Sequence, residues 1–394
     1  MRIVWIGPVV SEERLLDARS VFSPAGVRWN AGFVGALVKK DVEVRNIYYA
    51  ARRTWPYGPL RLPASNQTWI TRVQSQWVPY WNVRGMRARS LALGYSKVFK
   101  QWCKSGWNAD VLVVYNPSAQ DVKSACGICR LTGTPWIVIQ ADKDPSGVEP
   151  EVCIELGAAG IVFLAWGAYE RFPYAQKIHI DGGVSELRGV AQVLKRTKRV
   201  AYNGALHSVA GADFLVKAFR QVRHPEARLD LTGTCLCAGV AAAAAQDRRV
   251  TLHGLLPDVD LQDVCSNAEL FVNPRPSNRW ENAHNFPSKI LEYLSWSRPV
   301  VTTWTAGLHP DYIQITIPLR KETYEGLAEA IDDVLTWTDR KYRENSAAVA
   351  AWVVEKRQWS TQVARFLQWA QGELMLHRQQ GIAQKQLRGL DVVE

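Results

Sequence analysis

The chain has 394 residues, 47% hydrophobic and 22% charged, with 27 Gly and 19 Pro spread along it. This excludes disordered, collagenous and coiled-coil classes, and it is more chain than one hydrophobic core uses. Forty-eight Lys and Arg against 37 Asp and Glu leave a net charge of +11, which favours anionic partners: a phosphorylated ligand, an acidic membrane surface or nucleic acid. The first ten residues are a short apolar run soon followed by Glu12 and Glu13, a first strand rather than a signal peptide.

Runs rich in β-branched residues recur between helical stretches, the pattern of parallel strands covered on both faces by crossover helices. In the first half the predicted strands are 3–6, 42–48, 111–115, 136–139, 161–164 and 177–180. Between them, 52–69 is an aromatic, Arg-bearing loop with Pro56, Pro59 and Pro63, readable as a binding platform or a variable insertion. Residues 83–107 form a basic amphipathic helix with Leu91, Tyr95, Val98, Phe99 and Trp102 on one stripe. It can lie on an anionic membrane or pack on the core with a solvated basic face. A second series of strands opens at 199–202 and continues at 228–231, 250–253, 269–272 and 299–302, and beyond Trp337 the pattern is helical to about Arg378, with a polar, frayed tail after it.

The predicted fold class is therefore α/β: two facing doubly wound Rossmann-like domains with a cleft between them and a helical C-terminal segment. The expected domains are 1–187, a basic linker 188–198, 199–358, and a C-terminal helix and tail 359–394 that crosses back to the first domain. The seven cysteines stand at irregular spacings and fit a reducing cytosol rather than a secreted disulfide framework. Cys126 and Cys129 make a single CxxC with no second pair at zinc-ligand spacing, so they read as buried thiols. No run reaches the roughly 18 to 20 apolar residues of a membrane span.

The stretch 270–312 holds the most chemistry. A strand ends at Asn273, a polar loop follows, and Pro287 can begin a helix because its missing N–H is not needed there. The first-turn N–H groups of such a helix attract anions, and Ser288 and Lys289 add a hydroxyl and a positive charge where a diphosphate would sit. Glu292, one turn on, suits the hydroxyls of a ribose, and the same segment also reads as an ordinary amphipathic helix with incidental polar residues.

The phrase Pro287-Ser288-Lys289-Ile290-Leu291-Glu292-Tyr293-Leu294, followed by Arg298-Pro299-Val300-Val301, resembles the retaining GT-B glycosyltransferases of the family 4 group, whose members carry PSKxLEYxxxGxPVV. The stretches 205–219, 229–233 and 250–261 resemble the first loop, next strand and next loop of that family's donor domain. The first half matches more loosely, through Gly26 and the linker-like 178–186.

The resemblance implies a C-terminal domain that binds a nucleotide-diphosphate sugar and an N-terminal domain that binds a glycan, lipid-linked or small-molecule acceptor. Glu292 would hold the ribose, with Ser288, Arg275, Gly204 and Asn285 on the rest of the donor and Gly26 approaching phosphate closely. Lys289 would stabilise the leaving diphosphate, His207 would touch phosphate or sugar, and Asp142, beside the end of a strand, would contact the acceptor or act as base. A hexose would be transferred with retention and without a protein nucleophile, metal or other cofactor. Many members place an Arg and a Lys in the first donor loop; here Ala205 and Ala210 stand there, and His284 replaces the first Glu of the common paired-glutamate motif. Family members that extend lipid-linked glycans work at a membrane, so the expected location is cytoplasmic, peripheral at the inner face.

Two DxD spacings, Asp142 with Asp144 and Asp258 with Asp260, read as surface loops rather than metal ligands. The second reading is a catalytically weak protein that binds a nucleotide sugar or glycan, motivated by Ala205 and Ala210. Nucleic acid is not an expected partner, since no DNA- or RNA-binding module is visible and phosphate affinity has a nearer explanation. Of the 17 Trp, Trp29, Trp55 and Trp81 are the expected sugar- or lipid-stacking rings, and Trp136 and Trp166 are expected in the core.

Overall fold

The computed structural model describes residues 1–10, 23–68, 70–142, 147–189, 196–234 and 237–390. Asp144, Trp69, Cys235 and the interior of the expected linker, residues 190–195, lie outside them.

The chain divides into two compact units, one of Met1–Leu164, Ala168–Ile180 and Trp359–Glu394, the other of Ala165–Gly167 and Asp181–Gln358. In chain order the first half contains β1 (Arg2–Ile6), α1 (Pro24–Lys39), β2 (Glu43–Tyr48), β3 (Arg61–Leu62), β4 (Ser65–Gln67), β5 (Gln74–Trp77), β6 (Tyr80–Trp81) and α2 (Arg87–Lys104). It continues with β7 (Val111–Tyr115), α3 (Ala119–Thr132), β8 (Trp136–Gln140), α4 (Pro150–Glu155), β9 (Gly160–Phe163), α5 (Trp166–Arg171) and β10 (Lys177–His179).

Eight of these strands form one sheet in the order β10-β9-β8-β7-β1-β2-β5-β4, parallel except where β4 runs against β5. Val4, Ile6, Leu112, Val114 and Val138 are buried in its core, because crossover helices cover a parallel sheet on both faces. Local signals start and stop those helices. Ser23 caps α1 ahead of Pro24, and Ser118 with Asp121 forms a capping box on α3, which ends at Gly133 in the left-handed region.

The second unit holds β11 (Arg199–Asn203), α6 (Ala212–Phe219), β12 (Arg228–Thr232), α7 (Ala238–Ala245), β13 (Val250–Gly254), α8 (Asp258–Asn267), β14 (Leu270–Asn273), α9 (Trp280–His284), α10 (Lys289–Ser295), β15 (Val300–Thr302), β16 (Ile317–Pro318), α11 (Tyr324–Thr336) and α12 (Asp339–Lys356). Its sheet is wholly parallel, in the order β13-β12-β11-β14-β15-β16. The first unit is completed by α13 (Trp359–Leu390), where Trp359 and Phe366 meet Phe33 of α1 edge-on.

The predicted strands fall within one or two residues of observed ones. The differences come from segments without a strong period. The expected loop 52–69 contributes β3 and β4, and with β5 and β6 it extends one sheet edge and adds a two-stranded antiparallel ribbon. At the other end the helix continues to Leu390, past the frayed tail expected from residue 379. In α2 the stripe of Leu91, Tyr95, Val98, Phe99 and Trp102 is buried core, so that stripe is not available to a bilayer. Trp29 likewise stacks on Phe33 at 4.8 Å and is buried rather than presented to a ligand, whereas Trp166 is only half-buried, edge-on to His309 at 4.2 Å. No helix among the described residues is long and apolar enough to cross a membrane.

Candidate functional site

In the second sheet the strand order reverses between β11 and β14, and open parallel sheets bind ligands beyond the carboxyl ends of strands at such a switch point. At the end of β11, Asn203 is buried and donates from Nδ2 to Glu292 Oε1 at 2.8 Å. Lys289 Nζ donates to Glu292 Oε2 at 2.8 Å. Both partners sit on α10, where a spacing of three residues brings them to one face. Tyr293 supports the cluster from beneath: it is buried, its hydroxyl donates to the Asn203 carbonyl at 3.1 Å, and its ring stacks on Phe271 of β14 at 4.7 Å. The Glu292 carboxylate is thus held by an amide on one oxygen and an ammonium on the other, a charge-assisted arrangement that fixes its direction.

The chain leaves β11 through Gly204 at φ 156°, where a side chain would crowd the Tyr202 hydroxyl. It then makes one turn of 3₁₀ helix, Ser208–Ala210, and enters α6 through Gly211. Gly211 has φ 79°, and an added Cβ would stand 1.9 Å from the Pro274 carbonyl oxygen, so only glycine lets this loop pass so close to the one after β14.

His207 caps the 3₁₀ turn, its Nδ1 accepting the Ala210 N–H at 3.2 Å. In neutral imidazole the proton then lies on Nε2, which makes that nitrogen a donor. Ala205 is exposed and Ala210 buried.

Arg275, just beyond β14, reaches Asn282 Oδ1 at 3.5 Å. Asn282 is buried and donates to the carbonyls of Val209 and Pro276, both at 2.9 Å, tying the two loops of the switch point together. Sequence reasoning passed over it; the signal was its place among polar residues between a strand and the next helix. Burial pushes the Tyr202 hydroxyl up to about 12, with Arg275 acting the other way. Cys265, beside Asn203 at 3.7 Å, is likewise raised to about 12, chiefly by burial and then by the Glu292 charge.

Ser288 is itself helical, with φ −53° and ψ −24°, and its side chain makes no cap hydrogen bond. Asn285 is half-buried at the end of α9, and its Oδ1 is a buried acceptor without a hydrogen-bond partner. His284 lies against the Trp280 ring at 4.9 Å.

Gly26 and Asp142 belong to the other unit: Gly26 follows β1 at the corresponding switch point between β1 and β7, and Asp142 follows β8, the strand next to β7. Gly26 stands in the first turn of α1 rather than in the loop before it, and a Cβ there would meet the Tyr115 hydroxyl at 3.3 Å. Asp142 is exposed; its N–H donates to Asn116 Oδ1 at 3.3 Å. Burial, and then the Asp142 charge, raise the Tyr115 hydroxyl far above its ordinary value. Asp258 and Asp260 lie in the first turn of α8, and no group of three or more His, Cys, Asp or Glu among the described residues could hold a metal ion.

Residues 197–336 match a family model described as glycosyl transferases group 1. Compared with curated protein sequences, the chain matches none. Among solved structures it is similar to the catalytic domain of starch synthase IV from Arabidopsis thaliana, bound to ADP and acarbose, at TM-score 0.67 and 10% identity over 95% of this chain and 99% of that one. It is also similar to HepE from Anabaena in complex with UDP, at TM-score 0.66 and 12% identity over 94% of this chain and 100% of that one. Sucrose-phosphate synthase from Thermosynechococcus elongatus gives 0.63 and 16% over 97% and 100%. Over residues 197–336 the chain is similar to the glycosyl transferases group 1 family, and its fold is GT-B.

Proposed function

We propose that the protein is a retaining hexosyltransferase of the family 4 type, moving a sugar from a nucleotide diphosphate to a glycan, lipid-linked or small-molecule acceptor without a metal or other cofactor. The observation that carries this is the oriented Asn203–Glu292–Lys289 cluster at the switch point of the second sheet. In the proposal Glu292 accepts the ribose hydroxyls. Lys289 and Arg275, with Ser288, Gly204 and Asn285 around the donor, hold the diphosphate. The bond from the anomeric carbon to the phosphate oxygen breaks on the face where the acceptor hydroxyl attacks, and the acceptor proton passes to that departing oxygen. Positive charge at Lys289 and Arg275 and the Nε2 donor of His207 stabilise the charge that develops there. Asp142 serves the acceptor side, and Gly26 allows close approach to phosphate. The structure of HepE with UDP-glucose and that of starch synthase IV with ADP support a nucleotide-sugar donor.

Ala205 and Ala210 favour a second reading, binding with weak transfer, because no cation stands in the first loop at those positions. A thermal-shift screen of UDP, GDP and ADP followed by a donor panel separates the two. A nucleotide that raises the melting temperature, together with its release from the matching donor, supports the enzyme. Glu292→Gln should weaken nucleotide binding about tenfold or more, the scale of one charge-assisted hydrogen bond, and Lys289→Ala should lower kcat more than it raises KM. Binding without turnover leaves the second reading, and no shift with any nucleotide overturns both.

A further inference from the structure

Between Glu43 and Asp110 there are eight Arg, three Lys and no acidic residue. This stretch alone carries +11, the net charge of the whole chain, so the remaining residues are neutral in sum. The excess charge is therefore concentrated in one stretch of the chain rather than spread along it.

The same stretch exposes large apolar side chains: Tyr57 is 84% exposed, Trp55 52%, Met86 51% and Leu60 44%. They stand on a built surface. Asn82, fully buried, donates to the carbonyls of Arg53 and Pro59 at 2.7 and 2.9 Å, and backbone bonds from Asn82 to Leu60 and from Trp55 to Asn82 close the turn. Arg87 at the start of α2 reaches the Arg52 carbonyl at 3.4 Å, and Ser90 accepts the Trp81 N–H at 3.1 Å. The Arg61 guanidinium lies over the Trp81 ring at 5.4 Å.

From this end α2 carries a second basic row. Arg89, Leu93, Lys97, Lys100 and Lys104 are all exposed, and their spacing of three or four residues aligns them on the face opposite the buried stripe.

We infer that the surface formed by residues 53–61, Trp81, Met86 and the exposed face of α2 docks on an anionic phospholipid bilayer. Basic side chains would pair with lipid phosphates while Trp55, Tyr57, Leu60 and Met86 enter the headgroup boundary, where amphipathic rings and short apolar tips are favoured. The apolar tips decide between a bilayer and a soluble polyanion: Leu60, Met86 and Leu93 (72% exposed) offer nothing to a phosphate chain in water. The inference uses no residue of the Asn203–Glu292–Lys289 cluster and stands apart from the transferase reading.

The test is flotation of the full chain with vesicles of phosphatidylcholine alone and of an equal mixture of phosphatidylcholine and phosphatidylglycerol. Binding to the mixed vesicles only, weakened by added salt, is expected. Arg53→Glu with Arg61→Glu should cost about tenfold or more in partitioning, since each basic residue near such a surface contributes about fivefold. Tyr57→Ser with Leu60→Ser should remove the part of the binding that survives high salt. These positions are exposed, and each variant's thermal shift with the nucleotide that the parent binds, or its unchanged melting temperature, shows that it is folded. Equal binding to both vesicle types, no binding to either, or binding to inorganic polyphosphate that matches the mixed vesicles and is indifferent to Tyr57 and Leu60 would overturn the inference.

Discussion

At the scale of single residues, the second unit depends on positions where the backbone leaves no choice. Gly211 combines φ 79° with a neighbouring carbonyl oxygen 1.9 Å from any added Cβ. Gly211→Ala should therefore destabilise the protein by at least about 1–2 kcal/mol, read as a fall in melting temperature of roughly 2–4 °C per kcal/mol for a unit of this size. An unchanged melting temperature would mean that the loop after β14 yields. Cys265 makes a second case. Burial raises its thiol from 9.0 to about 12, so the folded state keeps it neutral where the unfolded chain ionises it. The stability this contributes is complete below pH 9 and is lost as pH rises toward about 12. Alkylation at pH 8 should spare Cys265 in the native protein and label it once unfolded, and rapid native labelling would contradict its burial. Glu292 and Lys289 were legible from one motif. Asn203 and Asn282 were not, because an asparagine at a strand end or in a helix of five residues has no period to mark it; only the fold brings Asn203 to α10 and Asn282 to Val209.

At the scale of elements, α13 shows how a helix remote in sequence is keyed to its unit. Gly32 of α1 leaves space that Trp359 fills, since a Cβ there would stand 2.2 Å from the indole nitrogen, and Gly160 of β9 does the same beneath Trp369. Val363, Phe366 and Ala370 are fully buried along this seam. Phe366→Ala removes a ring that packs on Phe33 at 5.1 Å and should cost about 3–5 kcal/mol in urea unfolding; a loss under about 1 kcal/mol would show that the seam closes over the gap. The ribbon of β3 and β6 illustrates the opposite limit. Strands of two residues carry too few alternations for a periodic signal; the buried Asn82 amide ties the ribbon to the turn before it, and the paired Leu62 and Tyr80 anchor it in the core.

At the scale of the whole molecule, the chain passes from one unit to the other beside Asp181 and again beside Gln358. Within the second unit these two segments are bound to each other. Arg357 Nε lies 3.2 Å from Asp181 Oδ1, the Tyr312 hydroxyl donates to Asp181 Oδ2 at 2.9 Å, and the Val184 N–H donates to the Arg357 carbonyl at 2.7 Å. Burial opposes the Arg357 charge, but Asp181 and Tyr312 more than offset it and hold the guanidinium more firmly protonated than usual. Arg357→Met leaves the Asp181 carboxylate buried without its cation and should cost about 3–5 kcal/mol, while Arg357→Met with Asp181→Asn should cost clearly less. Equal losses in a denaturation cycle would show that the pair is not coupled.

Strand and helix periods, β-branched composition and the 287–301 phrase determined by themselves that this is an α/β chain with two Rossmann-like sheets and that residues around Lys289 and Glu292 carry its recognisable motif. These signals are local, so they survive without a structure. Which tryptophans are core was decided only by tertiary packing. Nine are buried among the described residues, Trp29 included, while Trp55 and Trp81 are exposed. The same packing turned the apolar stripe of α2 inward and left its basic face out. The reason in each case is that burial is a property of what lies opposite a side chain, and a sequence states only what lies next to it.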